Sequence, residues 1–300
     1  MTVLNQDSTA HETVTQADLN AHYSLPWERY WLARTDDQLH PQDKVYRRMF
    51  DNVMNLVDNP QRVIDLGCGI GIFSINLARR YPQVRITAMD LSFAQLRLAD
   101  QLARRYNVRD RINFMNGNVE SIPLAPSDAD RPDHIVMTEV LEHLLQPDHA
   151  LKAISRLSSP ETRIILSVPQ IYGEGSAGIF YRQILADGTV IHTQDKRKLR
   201  PGTSTYKYFH DEFTTERISN LLQSCGFQVE LILPIVFKMR MWMRQPHETV
   251  PTRFVRRFSN LLSRAFHQGV LLTSPAFDRS IARLAGGRWA EDIIVVCRKG

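Results

Sequence analysis

The sequence predicts an α/β fold of the doubly wound kind, a mostly parallel sheet with helices on both faces. Three observations carry that expectation. From residue 62 onward, short apolar runs alternate with amphipathic helical stretches. Their spacing matches βαβ units, which build parallel sheets. The first run leads directly into Gly67, Gly69 and Gly71, which open a helix. A chain of 300 residues, 43% hydrophobic and 23% charged, has room for one large domain with insertions, and its composition excludes a disordered or fibrous protein.

The elements follow in order. Residues 1–25 read as a flexible tail, because the stretch is rich in Thr, Gln, Asp and Asn and lacks the apolar core of a signal peptide. Residues 26–60 read as two helices broken near His40-Pro41. Trp27, Tyr30 and Trp31 cluster in the first, while Val45, Met49, Phe50, Val53, Met54 and Val57 recur at three and four residues in the second. From residue 61 the pattern is a strand at 62–66, a helix at 72–80 closed by Tyr81-Pro82, a strand at 84–89 ending on Asp90, and a helix at 94–106. Strands at 112–115 and 134–138, a helix at 147–157 and a strand at 163–168 continue it. A helix at 214–224, with Ile218, Leu221 and Leu222 on one face and Gly226 as its stop, leads to strands at 227–233 and 292–297. Two insertions interrupt this series, at 169–209 and 237–288. The first contains a hairpin, 181–185 against 189–193, turning at Asp187-Gly188.

Charge is unevenly spread. The chain carries a formal +5, yet between Phe237 and Arg288 ten basic residues face only Glu248 and Asp278, a local +8 that leaves −3 for the remainder. Within that insert Phe254, Phe258, Leu261, Leu262 and Phe266 recur at helical spacing among Arg253, Arg256, Arg257 and Arg264. Such a basic amphipathic helix has three readings: a substrate lid, a peripheral contact with anionic membrane or a lipid-like acceptor, or an oligomer contact. Nucleic acid is disfavoured as a partner, since the body is acidic and no RNA-binding module is present. Cys68, Cys225 and Cys297 are odd in number and widely spaced, which fits neither a disulfide framework nor a zinc site and leads us to expect a cytoplasmic protein. No apolar run approaches the roughly 18 residues that cross a bilayer.

The chemistry-bearing segment is Val63-Ile-Asp-Leu-Gly67-Cys-Gly69-Ile-Gly71. Glycines at a strand-to-helix turn let backbone amides approach a ligand at the positive helix end. A dinucleotide site prefers G-x-G-x-x-G, in which the amides cradle a pyrophosphate. Here the spacing is G-x-G-x-G, with Asp65 two residues before the first glycine, and that carboxylate suits a ligand bearing a cation. Over residues 62–228 the chain resembles the class I S-adenosylmethionine-dependent methyltransferases, of the ubiquinone type. The resemblance implies a Rossmann-like, seven-stranded sheet whose last strand is antiparallel, with S-adenosylmethionine as cofactor. It implies that Asp90 takes the ribose hydroxyls and that Leu91 packs on adenine. Gly67, Gly69 and Gly71 would border the methionine and ribose, and Asp65 would hold local backbone or the aminoacyl end. In the third ligand loop, Gly117-Asn118-Val119, Asn118 stands where the family usually has an acid but keeps one acceptor oxygen for the adenine amino group.

A second constellation, Thr138-Glu139-Val-Leu-Glu142-His143, follows the fourth strand, at the sheet end where open α/β folds bind ligands. Glu139, Glu142 and His143 suit a divalent metal, two carboxylates and an imidazole being hard-to-borderline donors. The run resembles both ubiquinone-type O-methyltransferases and small-RNA 2′-O-methyltransferases, and in the latter a downstream histidine completes a metal site. His192 and His210 are the candidates. A metal-free alternative makes His143 a general base beside Glu139, with His210 in support; a third makes His143 structural. The aromatic residues of the first insertion, among them Tyr172, Phe180, Tyr181, Tyr206, Tyr208 and Phe209, would line an acceptor pocket. The expected activity is methyl transfer to a small or lipid-like molecule, most readily at oxygen. The alternatives are metal-dependent RNA 2′-O-methylation and a cofactor-binding subunit without catalysis.

Overall fold

The computed structural model describes residues 13–25, 32–123, 131–170, 178–186, 189–237 and 290–300. Seven strands build its main sheet: β1 (Arg62–Leu66), β2 (Arg85–Asp90), β3 (Ile112–Asn116), β4 (His134–Thr138), β5 (Arg163–Pro169), β9 (Phe227–Phe237) and β10 (Ala290–Lys299). Their order across the sheet is β3-β2-β1-β4-β5-β10-β9. β10 pairs antiparallel with both of its neighbours and the other described pairings within this sheet are parallel, as expected for this class. The central strands are apolar on both faces: Ile164, Ile165, Leu166, Ile294, Val295 and Val296 are all fully buried, because helices cover each side. One buried cluster packs the sheet against α2 (Lys44–Leu56), α3 (Ile72–Arg80) and α4 (Phe93–Arg105). The other packs it against α5 (Pro147–Leu157) and α6 (Thr215–Ser224).

Local chemistry fixes the helix starts. Asp43 accepts from the amides of Val45 and Tyr46 to begin α2, Ser92 accepts from Gln95 to begin α4, and Thr214 accepts from Arg217 to begin α6. Pro147 occupies the first turn of α5, where its missing N–H costs nothing. The strand order places the site. The chain winds outward from β1 through β2 to β3 and then returns to β4, beside β1, so the carboxyl ends of β1 and β4 flank the topological switch point. Both sequence motifs lie there.

Two differences from expectation matter for function. The first insertion forms a three-stranded antiparallel sheet rather than a hairpin alone: β6 (Gly178–Ile184) pairs with β7 (Val190–Thr193) on one side and with β8 (Tyr206–His210) on the other. The expected tail contains a helix, α1 (Gln16–Tyr23), closed by a capping box in which Thr15 and Asp18 satisfy each other's backbone amides. α1 docks on β8. Lys207 donates to the carbonyl of Thr13 at 2.8 Å and pairs with Asp18 at 3.3 Å, while His22 stacks on Tyr208 with ring centroids 4.4 Å apart. A partly exposed ion pair contributes about 0–1 kcal/mol, whereas full burial of a leucine side chain contributes about 1.5–3 kcal/mol. Leu19 and the ring contacts therefore dominate the docking.

Residues 1–12, the Trp27-Tyr30-Trp31 cluster, Asp187-Gly188 and the basic helix of the second insertion lie outside the described residues. Among the described residues, no helix is long and apolar enough to cross a membrane, and the three cysteines are free.

Candidate active site

The loop after β1 is held from two sides. The amides of Gly67 and Cys68 donate to the carbonyl of Met89, at 2.8 and 3.0 Å. Gly67 has φ +74°, and a Cβ added there would stand 2.2 Å from Cγ2 of Val140 in the loop after β4. Only glycine permits both that backbone and that contact. Asp90, at the end of β2, clamps the same loop. One carboxylate oxygen accepts from the Gly69 amide and the other from the Ser92 amide, each at 2.8 Å. Asp65 is buried and accepts from the Ser74 hydroxyl at 2.6 Å. Burial pushes the Asp65 carboxyl up to about 7, with Ser74 offsetting part of the effect. Burial also raises Asp90, against the two amides that favour its ionised form.

On the next loop, Asn118 uses its side-chain oxygen to cap the 3₁₀ turn Val119–Ser121, accepting from the Glu120 amide at 2.9 Å. Its amide nitrogen donates to the Gln16 side chain on α1, at 3.1 Å. The acceptor oxygen expected to serve adenine thus already holds one backbone donor and keeps only its second lone pair.

After β4 the backbone leaves regular geometry. Glu139 adopts φ +53°, and its carboxylate turns back to accept from the Ser167 hydroxyl at 2.7 Å. A non-glycine residue in this region costs about 1–3 kcal/mol, which is tolerated chiefly at functional sites. Burial raises the Glu139 carboxyl to about 7. Glu142, in the 3₁₀ turn Leu141–His143, is buried. Its Oε2 lacks a hydrogen-bond partner among the described residues, and burial, then Glu139, lifts its carboxyl well above the usual range. His143 Nδ1 lies 3.2 Å from the Phe209 carbonyl and donates to it, which leaves Nε2 as the ring's acceptor, 3.6 Å from Glu142 Oε1. Burial, with smaller effects from His210 and Arg182, holds the imidazole down to about 4, so His143 is neutral.

The metal reading of Glu139, Glu142 and His143 is corrected by this geometry. Among the described residues no group of three or more His, Cys, Asp or Glu side chains is arranged to hold a metal ion. The physical reason is the left-handed turn at Glu139, which sends its carboxylate to β5 instead of onto a shared helix face. The two downstream histidines also separate. His210 stands beside His143, ring centroids 5.2 Å apart, whereas His192 is bonded to the Tyr208 hydroxyl at 2.5 Å and stacked on Phe180.

One cavity of about 440 Å³ joins these parts, within the roughly 300–1,000 Å³ typical of ligand pockets. Asp65, Gly67, Gly69, Asp90, Leu91, Asn118 and Val119 line one end; Glu139, Glu142, His143 and His210 line the other. Gly71 does not line it and instead caps α3 at φ +77°. Sequence reasoning missed several lining residues: Gln16, Leu19 and Tyr23 from α1, Tyr46 and Met49 from α2, and Arg182 from β6. The Thr15-x-x-Asp18 pattern was the readable signal for the first group.

Comparison with known proteins agrees with the geometry. A family profile described as a methyltransferase domain matches residues 42–232. The ubiquinone biosynthesis O-methyltransferase of Alkalilimnicola ehrlichii is 33% identical over 134 residues, 43% of this chain and 52% of that protein. The malonyl-[acyl-carrier protein] O-methyltransferase of Legionella pneumophila is 36% identical over 84 residues, 28% of each. The chain spans about half the length, or less, of these curated relatives. Among solved structures, the [4+2]-cyclase SpnF superposes with a TM-score of 0.56 at 18% identity over 95% of both chains. The CcbJ methyltransferase of Streptomyces caelestis gives 0.56 at 12% identity, over 93% of this chain and 98% of that one. At those identities the likeness is one of fold. With the family match running from just before α2 into β9, across both ligand loops, the chain belongs to the S-adenosylmethionine-dependent methyltransferase family.

Proposed function

We propose that the chain methylates a hydroxyl oxygen on a small or lipid-like acceptor, using S-adenosylmethionine. The observation that carries this reading is the continuous cavity from the glycine loop and Asp90 to a neutral His143 whose Nε2 is the ring's acceptor. The residues fit the cofactor. Asp65, Asp90 and Glu139 face the cavity with carboxyls raised by burial, a state that a cationic ligand relieves. Asp90 would hold the ribose diol with its remaining lone pairs, Leu91 and Val119 would pack on the base, and Asp65 would face the cationic end. Bound there, S-adenosylmethionine supplies a methyl group already activated by its sulfonium.

The protein's own contribution is alignment and one proton. The acceptor hydroxyl sits against His143, and its proton passes to Nε2 while the Phe209 carbonyl keeps Nδ1 protonated and the ring fixed. Glu139, locked by Ser167, adds a carboxylate at the His143 end of the cavity. The lipid-like option rests on the basic, aromatic sequence of residues 237–288, which we propose also makes any contact with an anionic membrane surface. RNA 2′-O-methylation depended on the metal set and finds no support in the side-chain arrangement.

The test is production of S-adenosylhomocysteine together with a mass gain of one methyl on an acceptor from a panel of phenols, alcohols and amines. Turnover confined to amines would overturn O-methylation. In His143→Ala, turnover should fall about 10²- to 10⁴-fold with unchanged S-adenosylhomocysteine affinity. Near-normal turnover would remove His143 from the reaction.

A further inference from the structure

The end of the cavity away from the glycine loop is the one that holds a cation. Asp65 and Asp90 lie at the cofactor end, whereas Arg182, the one lysine or arginine among the described lining residues, lies at the other together with Glu139, Glu142, His143 and His210. Arg182 comes from β6 of the inserted sheet. Its guanidinium sits 5.2 Å from the Tyr208 ring centre, and Nη1 is 3.4 Å from His22 Nε2. Flat rings surround it. Tyr208 lies 5.6 Å from His143 between centroids, and Tyr23 lies 6.4 Å from His143. His22, His143 and His192 are each held below the ordinary histidine range, by burial first and with Arg182 contributing, so its positive field reaches all of them.

Building on the methyltransferase reading above, we propose that the acceptor is a planar molecule carrying an anionic group, a carboxylate or its equivalent, which Arg182 binds while the aromatic side chains stack on the ring. A guanidinium offers a planar fork of donors matched to a carboxylate, and charge-assisted hydrogen bonds of this kind are about twice as strong as neutral ones. The same charge repels a cationic amine. Delivered by the insertion rather than by the seven-stranded sheet, Arg182 is a specificity residue that leaves the methyl-donor end untouched.

The test is calorimetry on the full chain loaded with S-adenosylhomocysteine, using 4-hydroxybenzoate and its neutral counterpart 4-hydroxybenzamide as probes. The acid should bind about ten- to hundredfold more tightly, the range a charged hydrogen bond supplies. Arg182→Gln should bring the two within about twofold by removing that bond, and Arg182→Lys should keep part of the preference. Unchanged S-adenosylhomocysteine affinity in both variants establishes that they are folded; should Arg182→Gln fail that check, Arg182→Lys and the wild-type preference decide. Equal affinity for the two probes, a preference that survives Arg182→Gln, or no binding of either probe would overturn the anionic acceptor while leaving methyl transfer standing. Failure of S-adenosylhomocysteine itself to bind would instead sink the methyl-donor reading on which the inference rests.

Discussion

Single residues in the β1 and β2 loops carry both stability and binding. Asp90 is the clearest case because each of its oxygens already accepts a backbone amide. Asp90→Asn puts an NH₂ group against one of those N–H donors, and a buried unsatisfied donor costs about 1–3 kcal/mol. The variant should therefore unfold more easily by about that amount and lose roughly ten- to hundredfold in S-adenosylhomocysteine affinity; unchanged affinity by calorimetry would refute the ribose assignment. Gly67 separates two costs. Gly67→Ala meets both the positive φ and the Val140 side chain at 2.2 Å, whereas Gly67→Ala with Val140→Ala loses that clash, keeps a milder contact with the residue-140 Cβ at 3.3 Å, and retains the backbone cost, about 1–2 kcal/mol. A double-mutant cycle by denaturant unfolding should show favourable coupling between the two substitutions. Strict additivity would mean that the loops do not touch.

At the scale of elements, α1 is the part of the molecule that changes the functional picture most. It contributes Gln16, Leu19 and Tyr23 to the cavity and rests on β8. Thr15→Ala removes the cap, at about 1 kcal/mol. Because the docking is local, the expected result is faster proteolysis near residues 13–25 and weaker S-adenosylhomocysteine binding, with little change in global unfolding. Proteolysis unaffected by the substitution would show that the cap does not hold the helix. The parallel strands were legible from sequence because burial on both faces writes them as short, mostly apolar runs, Arg62 to Leu66 and Arg163 to Val168 among them. α1 was not legible by periodicity, since Leu19 and His22 are its only buried side chains. β8, Tyr206–His210, mixes aromatic residues with Lys207 and His210 and exists through pairing with β6, a non-local partner that local pattern cannot reveal. The same limit explains the metal reading. Glu-x-x-Glu-His has the right residue types, but the left-handed backbone at Glu139 and the bond to Ser167 on a different strand decide where the carboxylate goes.

For the molecule as a whole, the buried acids link folding, cofactor binding and pH. Asp65 and Glu139 have folded values of about 7, above their ordinary 3.8 and 4.5. Groups raised in this way contribute stability that is fully present below the ordinary value and is lost as pH rises through the folded one, each with a limiting slope of about 1.4 kcal/mol per pH unit. His22 and His143, held down to about 3 and about 4, act oppositely over the same range, their contribution disappearing as pH falls. Net stability therefore hides both effects, and the difference between wild type and Asp65→Asn isolates one. The substituted amide would keep an oxygen for Ser74 but cannot ionise, so the variant should gain on the wild type as pH rises from about 4 to about 7. A constant difference across that range would mean that Asp65 does not titrate there. Cofactor binding has the complementary sign. A cation in the cavity favours the ionised carboxyls, so binding releases protons and affinity should climb with pH until it levels off above about 7. Calorimetry of S-adenosylmethionine in buffers of differing ionisation enthalpy, at about pH 6.5, should register net proton release, while S-adenosylhomocysteine, which lacks the sulfonium charge, should release fewer. Equal release for the two ligands would assign the effect to desolvation by any occupant and remove the sulfonium from the electrostatic account of this site.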